Sequence, residues 1–313
     1  MNGNPPVQVA VVSATYRRPR QLARLLASLP AEEQALAGVV IVDNGAAVET
    51  LTLANQARVP VRVMTPGRNL GCGGGVAVGL REAFRDPAIT HAWIFDDDAH
   101  ALPGALGALL AGLAVGRADA AVPLVVDGAG RVGWFPGPLE QPAWSVIRTP
   151  GMTPAWFRER CGTSVLSWAW APWPSLLVSR RAVDAVGVPR DDYWFQGEDL
   201  EWTLRLTARF RGVLVPAAEC RHLPPPTPDQ PERARLKQAA MLQNNLHTAT
   251  RLPHGRRLLR HAPGNLLRFL WAERSSLQAV SLAIHAHWFG VVRGSPAGAP
   301  GGDGLRRRWE SLS

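Results

Sequence analysis

Three consecutive carboxylates, Asp96, Asp97 and Asp98, directly follow the apolar run of residues 93–95. At an effective dielectric constant of about 20, two unit charges about 4 Å apart interact by about 4 kcal/mol, so crowded carboxylates become protonated or bind a metal ion. Oxygen-rich sites of this kind suit Mg²⁺ or Mn²⁺. A solvated turn that caps the next helix explains the triplet equally well, so the rest of the chain has to decide.

A second candidate site begins at Glu198 and Asp199, which precede an amphipathic helical pattern. The helix dipole favours acids in a first turn, so these residues also have an explanation that involves no function. His222 follows Asp199 by 23 residues and stands just after an apolar strand pattern. A helix and a return strand can bring this imidazole back, so that one carboxylate and one imidazole join the Asp triplet.

A glycine-rich turn extends from Asn69 to Gly75 and precedes another helical pattern. The free N–H groups and the dipole of a helix start favour an anion. The turn lacks the GxxxxGK[ST] pattern, and it follows the third predicted strand, whereas a dinucleotide fingerprint follows the first. It therefore indicates either close packing or diphosphate binding, and its position one strand before the Asp triplet favours the diphosphate.

Four apolar strand patterns alternate with helical patterns in the first hundred residues. Continuous apolar strands separated by helices predict a parallel sheet that is covered on both faces. Ligands of such sheets bind outside the carboxyl ends of the strands. We therefore expect a single crevice at the polar residues that end these patterns, which are Thr15, Asp43, Asn69 and Asp96.

The composition predicts a globular protein of a reducing compartment. The chain has 313 residues and 46% hydrophobic content, enough for a substantial core. Its three cysteines are odd in number and form no CxxC pair, which argues against a disulfide framework or a zinc site. No signal peptide pattern is present, and the longest apolar run, residues 101–115, is too short to span a membrane. We expect a cytoplasmic protein.

The net charge of +9 is concentrated late in the chain. Residues 232–293 contain ten Lys or Arg and two Glu, in patterns that predict two or three amphipathic helices. Their basic face suits an anionic membrane surface, with nucleic acid or plain solvent as alternatives. We expect a catalytic domain over 1–223, a helical extension over 224–293 and a flexible tail over 294–313.

Between the Asp triplet and the second candidate site, the tryptophan-rich segment 128–174 is interpreted as an acceptor-binding wall.

The ordered motifs of this chain resemble inverting glycosyltransferases of family 2. They are VVSATYRRPRQL, VVIVDNGA, GRNLGCGGGVAVGL, WIFDDDA and FQGEDLEWTLRL, followed by a later His. The galactofuranosyl and rhamnosyl transferase branch is similar in its N-x-G-x-G-G turn, its DDD form of the DxD motif and its QNNLH-like segment. The resemblance implies a GT-A fold, that is, an α/β, Rossmann-like, mostly parallel mixed sheet flanked by helices, with a C-terminal helical extension.

The resemblance also implies roles for individual residues. The metal ligands would be Asp96, Asp98 and His222, holding Mn²⁺ or Mg²⁺, and Asp199 would be the general base. The residues implied to bind the donor are Thr15, Asp43, Asn69, Gly73, Gly74, Asp96 and Asp97. Glu198 stands where the galactofuranosyl branch has Asp, which leaves the acceptor open.

The implied function is transfer of a sugar from a UDP- or dTDP-linked donor to a glycan or a lipid-linked acceptor, in surface polysaccharide synthesis at the inner face of the plasma membrane. A metal neutralises the leaving diphosphate, and a carboxylate takes the acceptor proton. A nucleotidyltransferase acting on a sugar phosphate is one alternative, but the glycine turn lacks the expected lysine. A non-enzymatic polyanion-binding or membrane-binding module is the other, and its salt-dependent binding would survive loss of the Asp triplet.

Overall fold

The structure is a computed structural model. It describes residues 6–30, 34–139, 150–194, 196–223 and 231–252, together with 283, 284, 286–288 and 307. Most of the basic extension and nearly all of the tail lie outside the described residues. The predicted domain boundaries at residues 223 and 293 therefore stay predictions.

The strands of the described residues form one sheet. They are β1 (Val9–Thr15), β2 (Leu36–Asp43), β3 (Val61–Met64), β4 (His91–Asp96), β5 (Ala99–Ala101), β6 (Ala120–Val126), β7 (Val132–Gly133), β8 (Gly137–Leu139), β9 (Leu166–Trp170), β10 (Ser175–Ser179) and β11 (Gly212–His222). Their order is β3-β2-β1-β4-β10-β6-β11-β9-β8, with β5 paired to β11 and β7 paired to β6.

Helices separate these strands along the chain. They are α1 (Pro19–Ser28), α2 (Val48–Gln56), α3 (Gly71–Ala83), α4 (Ala105–Gly116), α5 (Pro154–Cys161), α6 (Arg180–Val186), α7 (Glu198–Thr207) and α8 (Pro231–Arg251). Within the described residues, we find no helix with both the length and the apolar character that crossing a bilayer requires.

The sheet is mixed, and its parallel part carries the predicted strand ends. Strands β3, β2, β1 and β4 pair in parallel, as do β6 and β11. Strand β10 lies antiparallel between β4 and β6. The expected mixed α/β sheet flanked by helices is confirmed. The parallel register places the ends of β1, β2 and β4 at one edge, because Thr15 pairs with Asp43 and Ala14 pairs with Asp96.

One apolar cluster holds the first helix against the sheet. Leu22 and Leu25 of α1 are fully buried and belong to the same cluster as Trp93 of β4. The indole N–H of Trp93 is satisfied inside the core, since it donates to Ser175 Oγ at 2.8 Å. Burying side chains of this size contributes about 1.5–3 kcal/mol each, which fixes β4 firmly in the middle of the sheet.

Helix α3 begins at the first glycine of its turn, earlier than the sequence pattern predicts. Two later glycines of this helix pack closely on β1. A side chain added at Gly75 would lie 2.6 Å from Ala14 Cβ, and one at Gly79 would lie 2.5 Å from Val12 Cγ1. These glycines let the helix approach the strand more closely than any other residue type allows.

The chain divides into two compact units. The first consists of residues 1–69, 75–188 and 209–225 and contains the whole sheet. The second consists of residues 70–74, 189–208 and 226–313 and contains the start of α3, the helix α7 and the helix α8.

Candidate functional site

Asp96, Asp98 and His222 meet at the carboxyl end of β4, in the first unit. Each side chain offers one ligand atom, and these atoms all lie within 4.8 Å of one another. His222 Nε2 lies 2.9 Å from Asp98 Oδ1. Strand β5 explains this convergence, because it turns back after the triplet and pairs with the end of β11, placing His222 opposite Ala99. The backbone N–H of Leu223 also donates to the carbonyl of Asp98, at 2.8 Å.

This cluster fits a hard divalent cation. Two carboxylates and one imidazole are ligand types that Mn²⁺ and Mg²⁺ accept, and bonds of about 2.0–2.1 Å to Mg²⁺ require ligand atoms only a few ångströms apart. The Nδ1 atom of His222 is buried and has no hydrogen-bond partner among the described residues. Within the described part of the chain, this imidazole therefore keeps one ring nitrogen without a protein partner.

Asp97, the middle carboxylate, is bound by the protein itself. Thr15 Oγ1 donates to Asp97 Oδ2 at 2.7 Å, and the guanidinium of Arg18 donates to Asp97 Oδ1 at 3.0 Å and to Asp98 Oδ2 at 3.2 Å. Burial raises the pKa of Asp97, against the opposing charge of Arg18. Burial acts upward on the pKa of Asp98 too, but the hydrogen bond and charge of His222, the charge of Arg18 and a backbone hydrogen bond together lower that pKa. Asp97 is thus held by Thr15 and Arg18, and donor binding by Asp96 or Asp97 stays a prediction.

Arg18 is a site residue that sequence reasoning missed. It lies in the turn between β1 and α1, and it forms ion pairs with both Asp97 and Asp98. The charges of these aspartates raise its pKa, although burial works in the opposite direction. The available signal was its position, since an arginine just beyond the end of β1 lies at the same sheet edge as the Asp run.

Trp134 contacts the imidazole of His222 edge to face. The ring centroids are 4.5 Å apart and the planes make an angle of 87°. Trp134 is 39% exposed and has a φ of +49°, which is uncommon for a bulky residue. It belongs to the tryptophan-rich segment 128–174, so a sugar contact by this ring stays a prediction.

Two further residues of the first unit are predicted to contact the donor. Asp43 lies at the end of β2, and Asn69 lies in the loop before α3. The buried carboxylate of Asp43 accepts hydrogen bonds from the N–H groups of Gly45 at 2.8 Å and Ala47 at 2.9 Å, which closes the turn into α2. Asn69 is half-buried in the loop before α3. Donor binding by Asp43, Asn69 or Thr15 stays a prediction.

Glu198 and Asp199 form the first turn of α7, in the second unit. Burial and the charge of Asp199 raise the pKa of Glu198 to about 8. Burial also raises the pKa of Asp199 to about 6, against the effect of the Leu200 N–H, which donates to Asp199 Oδ1 at 2.7 Å. A carboxyl group with a pKa near 6 is ionised at neutral pH and remains basic enough to accept a proton.

The glycines at the start of α3 pack against the loop before α7. A side chain added at Gly71 would lie 2.0 Å from the carbonyl oxygen of Trp194, and one at Gly73 would lie 2.9 Å from that of Arg190. The packing explanation that the sequence left open therefore accounts for these glycines. Donor contacts by Gly73 and Gly74 stay a prediction, and they would have to come from backbone N–H groups.

We expect Glu198 to make the protein less stable as pH rises. Its side chain is 7% exposed, and Oε2 has no hydrogen-bond partner among the described residues. Because folding raises its pKa from 4.5 to about 8, the neutral acid is the favoured buried form, and its stabilising contribution is lost as pH rises toward 8. The thermal unfolding midpoint, measured from about pH 5 to about pH 9, should decline less steeply in Glu198→Gln than in the wild type.

The matched control for this variant is Glu159→Gln, which changes an exposed glutamate of α5. It should keep the wild-type pH dependence. Equal slopes for Glu198→Gln and the wild type would show that Glu198 is not the buried acid responsible.

Comparisons with known proteins identify the family of this chain. The family model described as glycosyl transferase family 2 matches residues 10–163. Relatives from two strains of Mycobacterium tuberculosis, both named N-acetylglucosaminyl-diphospho-decaprenol L-rhamnosyltransferase, are 33% identical over 236 residues, covering 68% of this chain and 75% of theirs.

Solved structures share the fold. TarS residues 1–349 of S. aureus align with a TM-score of 0.60 at 15% identity, over 92% of this chain and 81% of that one. The mannosyltransferase PcManGT of Pyrobaculum calidifontis, in complex with GDP-Man and Mn²⁺, aligns with a TM-score of 0.55 at 17% identity, over 97% and 80%. Because the rhamnosyltransferases are 33% identical to this chain over 75% of their length, and the family model also matches, the chain belongs to glycosyl transferase family 2. It is a glycosyltransferase with a GT-A fold.

Proposed function

We propose that this glycosyltransferase is metal-dependent and inverting, and that it moves a sugar from a nucleotide-diphosphate donor to a hydroxyl group of a glycan or lipid-linked acceptor. The observation that carries the proposal is the meeting of Asp96, Asp98 and His222 within 4.8 Å. Their spacing and chemistry suit the cation that a diphosphate leaving group requires.

The charge of the leaving group is the first demand of this reaction. Asp96, Asp98 and His222 would hold Mn²⁺ or Mg²⁺, which when bound would supply positive charge to neutralise the diphosphate. Arg18 keeps Asp97 in place and adds a positive charge beside the cluster. Asp97 then acts chiefly through its hydrogen bonds, which hold the side chains of Arg18 and Thr15.

The acceptor proton is the second demand. Asp199 takes this proton while the acceptor oxygen bonds to the anomeric carbon and the bond from that carbon to the diphosphate breaks. Its pKa of about 6 leaves it ionised at neutral pH. A single displacement of this kind inverts the anomeric centre, and it needs no nucleophilic carboxylate.

The relatives guide the choice of substrates. Those from Mycobacterium tuberculosis carry the name of an L-rhamnosyltransferase that acts on a decaprenol-linked sugar, and TarS has been solved with UDP-GlcNAc. We propose a dTDP- or UDP-linked donor and a lipid-linked acceptor for this chain. The acceptor would be used at the cytoplasmic face of the membrane, with the basic segment 232–293 on the anionic leaflet. Equal co-sedimentation with anionic and neutral vesicles would contradict this location.

A thermal-shift panel tests the proposed function. The donors are dTDP-L-rhamnose, UDP-GlcNAc and GDP-mannose, each with Mn²⁺ and with EDTA. We expect one donor to raise the unfolding midpoint by several degrees only when Mn²⁺ is present, since a ligand at about 100 times its Kd stabilises by about 2.7 kcal/mol. Metal-independent shifts would contradict the role of the cluster, and no shift with any of the donors would count against all three as substrates.

A further inference from the structure

We propose that Asn244, on α8, is a positioning residue that holds the loop before α7 and thereby fixes Asp199 for proton transfer. The inference rests on the proposed function, in which Asp199 is the general base. It concerns the second compact unit alone, because the loop, α7 and α8 all belong to that unit.

Asn244 makes two hydrogen bonds to the backbone of this loop. Its side chain is fully buried, and its Nδ2 donates to the carbonyl oxygens of Tyr193 at 3.1 Å and Gln196 at 2.7 Å. Both partners are acceptors, so only the NH₂ group of the amide can serve them. A carboxylate of the same shape at this position would face two carbonyl oxygens with no proton to donate.

The backbone between these two carbonyls is strained. Trp194 has a φ of +55° and Gln196 has a φ of +65°. Gly197, just after the second carbonyl, has a φ of +92°, which glycine adopts without strain. Left-handed φ values are uncommon for residues such as Trp and Gln, and they persist only where the surroundings enforce them. The two bonds from Asn244 attach to carbonyls at both ends of this segment, so the amide is a direct restraint on its conformation.

A second contact from the same face of α8 secures the start of the loop. The hydroxyl group of Tyr193 lies 2.8 Å from His247 Nδ1 and 2.7 Å from Thr248 Oγ1, and all three side chains are buried. Residues 244, 247 and 248 are spaced by three and four, so they project from one face of the helix. Helix α8 therefore holds the loop at two points.

The loop that α8 holds leads directly into the first turn of α7, which contains Asp199. Gly197 is the N-cap of α7, and its carbonyl accepts a hydrogen bond from the N–H of Glu201 at 3.0 Å. Asp199 lies two residues after this cap. A shift of the Gln196 carbonyl therefore moves the first turn of α7, and a misplacement of about 1 Å can lower a rate by about 10²-fold.

The test compares Asn244→Asp with Thr250→Ala. Thr250 is an exposed residue of the same helix, and the bonds of its hydroxyl group among the described residues go to the carbonyls of Leu246 and His247 in that helix. Turnover is measured as dTDP released from dTDP-L-rhamnose with Mn²⁺ and N-acetylglucosaminyl-diphospho-decaprenol. Amide hydrogen exchange of residues 193–201 provides a readout that needs no substrate.

We expect Asn244→Asp to lower kcat by about 10- to 100-fold and to leave the KM for the donor within about twofold, because the defect is in orientation. Exchange in residues 193–201 should become faster. Since burial raises the pKa of Asp199, loosening the loop should also move the acidic limb of the kcat profile below pH 6. Thr250→Ala should change none of these quantities.

Wild-type kcat, pH limb and exchange in folded Asn244→Asp would overturn the inference. If the buried carboxylate prevents folding, Asn244→Ala removes the same two bonds without a charge, and the same readouts decide. Asp199→Asn is measured in parallel. If it keeps full turnover, the proposed base is wrong; if it loses turnover while the Asn244 variants keep theirs, only the positioning role fails.

Discussion

Asp199→Asn should lower kcat by about 10²- to 10⁴-fold, the range that general base catalysis contributes. The amide has the shape of the carboxylate, and its oxygen can still accept the hydrogen bond that the N–H of Leu200 donates. It cannot take up a proton from the acceptor. Donor binding in the presence of Mn²⁺ should therefore be unchanged, so the loss appears in kcat and not in the thermal shift produced by the donor.

The pH dependence of kcat also tests the role of Asp199. The base must be ionised, so the wild-type kcat should rise with pH through about 6, where Asp199 loses its proton. Glu198, with a pKa of about 8, is the neighbour that keeps its proton through that step, and the two groups titrate as a coupled pair. The rise near pH 6 should be absent from the residual activity of Asp199→Asn.

Asp184→Asn is the matched control, because Asp184 is an exposed aspartate of α6. It should retain both the rate and the pH profile of the wild type. Unchanged turnover in Asp199→Asn would exclude Asp199 as the base, and the search would then turn to Glu198.

The meeting of Asp98 with His222 was predictable from the sequence because it depends on strand ends. Apolar runs mark the strands, and the residues that follow parallel strands share one edge of the sheet. The sequence thus indicated that Asp98 and His222 converge, as the structure shows. It did not show the short strand β5, whose antiparallel pairing with β11 is what places His222 opposite Ala99.

The position of Arg18 just beyond β1 indicates its edge of the sheet, but the sequence does not identify its partners Asp97 and Asp98. It likewise does not identify the backbone partners of Asn244. Arg18 is 79 residues from Asp97, and Asn244 is 51 residues from Tyr193. No local periodicity encodes either pairing. The same limit applies to the sheet order, since β10 enters antiparallel between β4 and β6, and an apolar run such as SLLVS fits several positions in a sheet.

The glycine turn shows how two explanations for one motif can be separated. Its position before the Asp triplet favoured diphosphate binding, yet the space beside Gly71 and Gly73 is filled by the carbonyls of Trp194 and Arg190. Close packing is therefore sufficient to require glycine at these positions. Any diphosphate contact must therefore use the backbone N–H groups of the first turn of α3. Side-chain substitutions in the glycine-rich segment would leave these N–H groups in place.

Asp98→Ala should abolish the metal-dependent part of donor binding. The change leaves Asp96 and His222 as the only two members of the described cluster, and it removes the carboxylate that accepts from His222 at 2.9 Å. Charge stabilisation by a bound metal contributes several kcal/mol to such a transition state, so turnover should fall by at least about 10²-fold. The Mn²⁺-dependent thermal shift with the donor should disappear in the same variant.

The fold should survive this substitution, which is what makes the result interpretable. Asp97 keeps its hydrogen bonds to Thr15 and Arg18, so the turn between β4 and β5 stays attached to the end of β1 and the turn that follows it. Asp184→Ala, at an exposed position on α6, controls for the loss of one aspartate. A wild-type Mn²⁺-dependent shift in Asp98→Ala would show that the cation binds elsewhere. In that case the ion pair of Arg18 with Asp98 would be the main role of this carboxylate, and the pairing with His222 would serve only to join β11 to the end of β4.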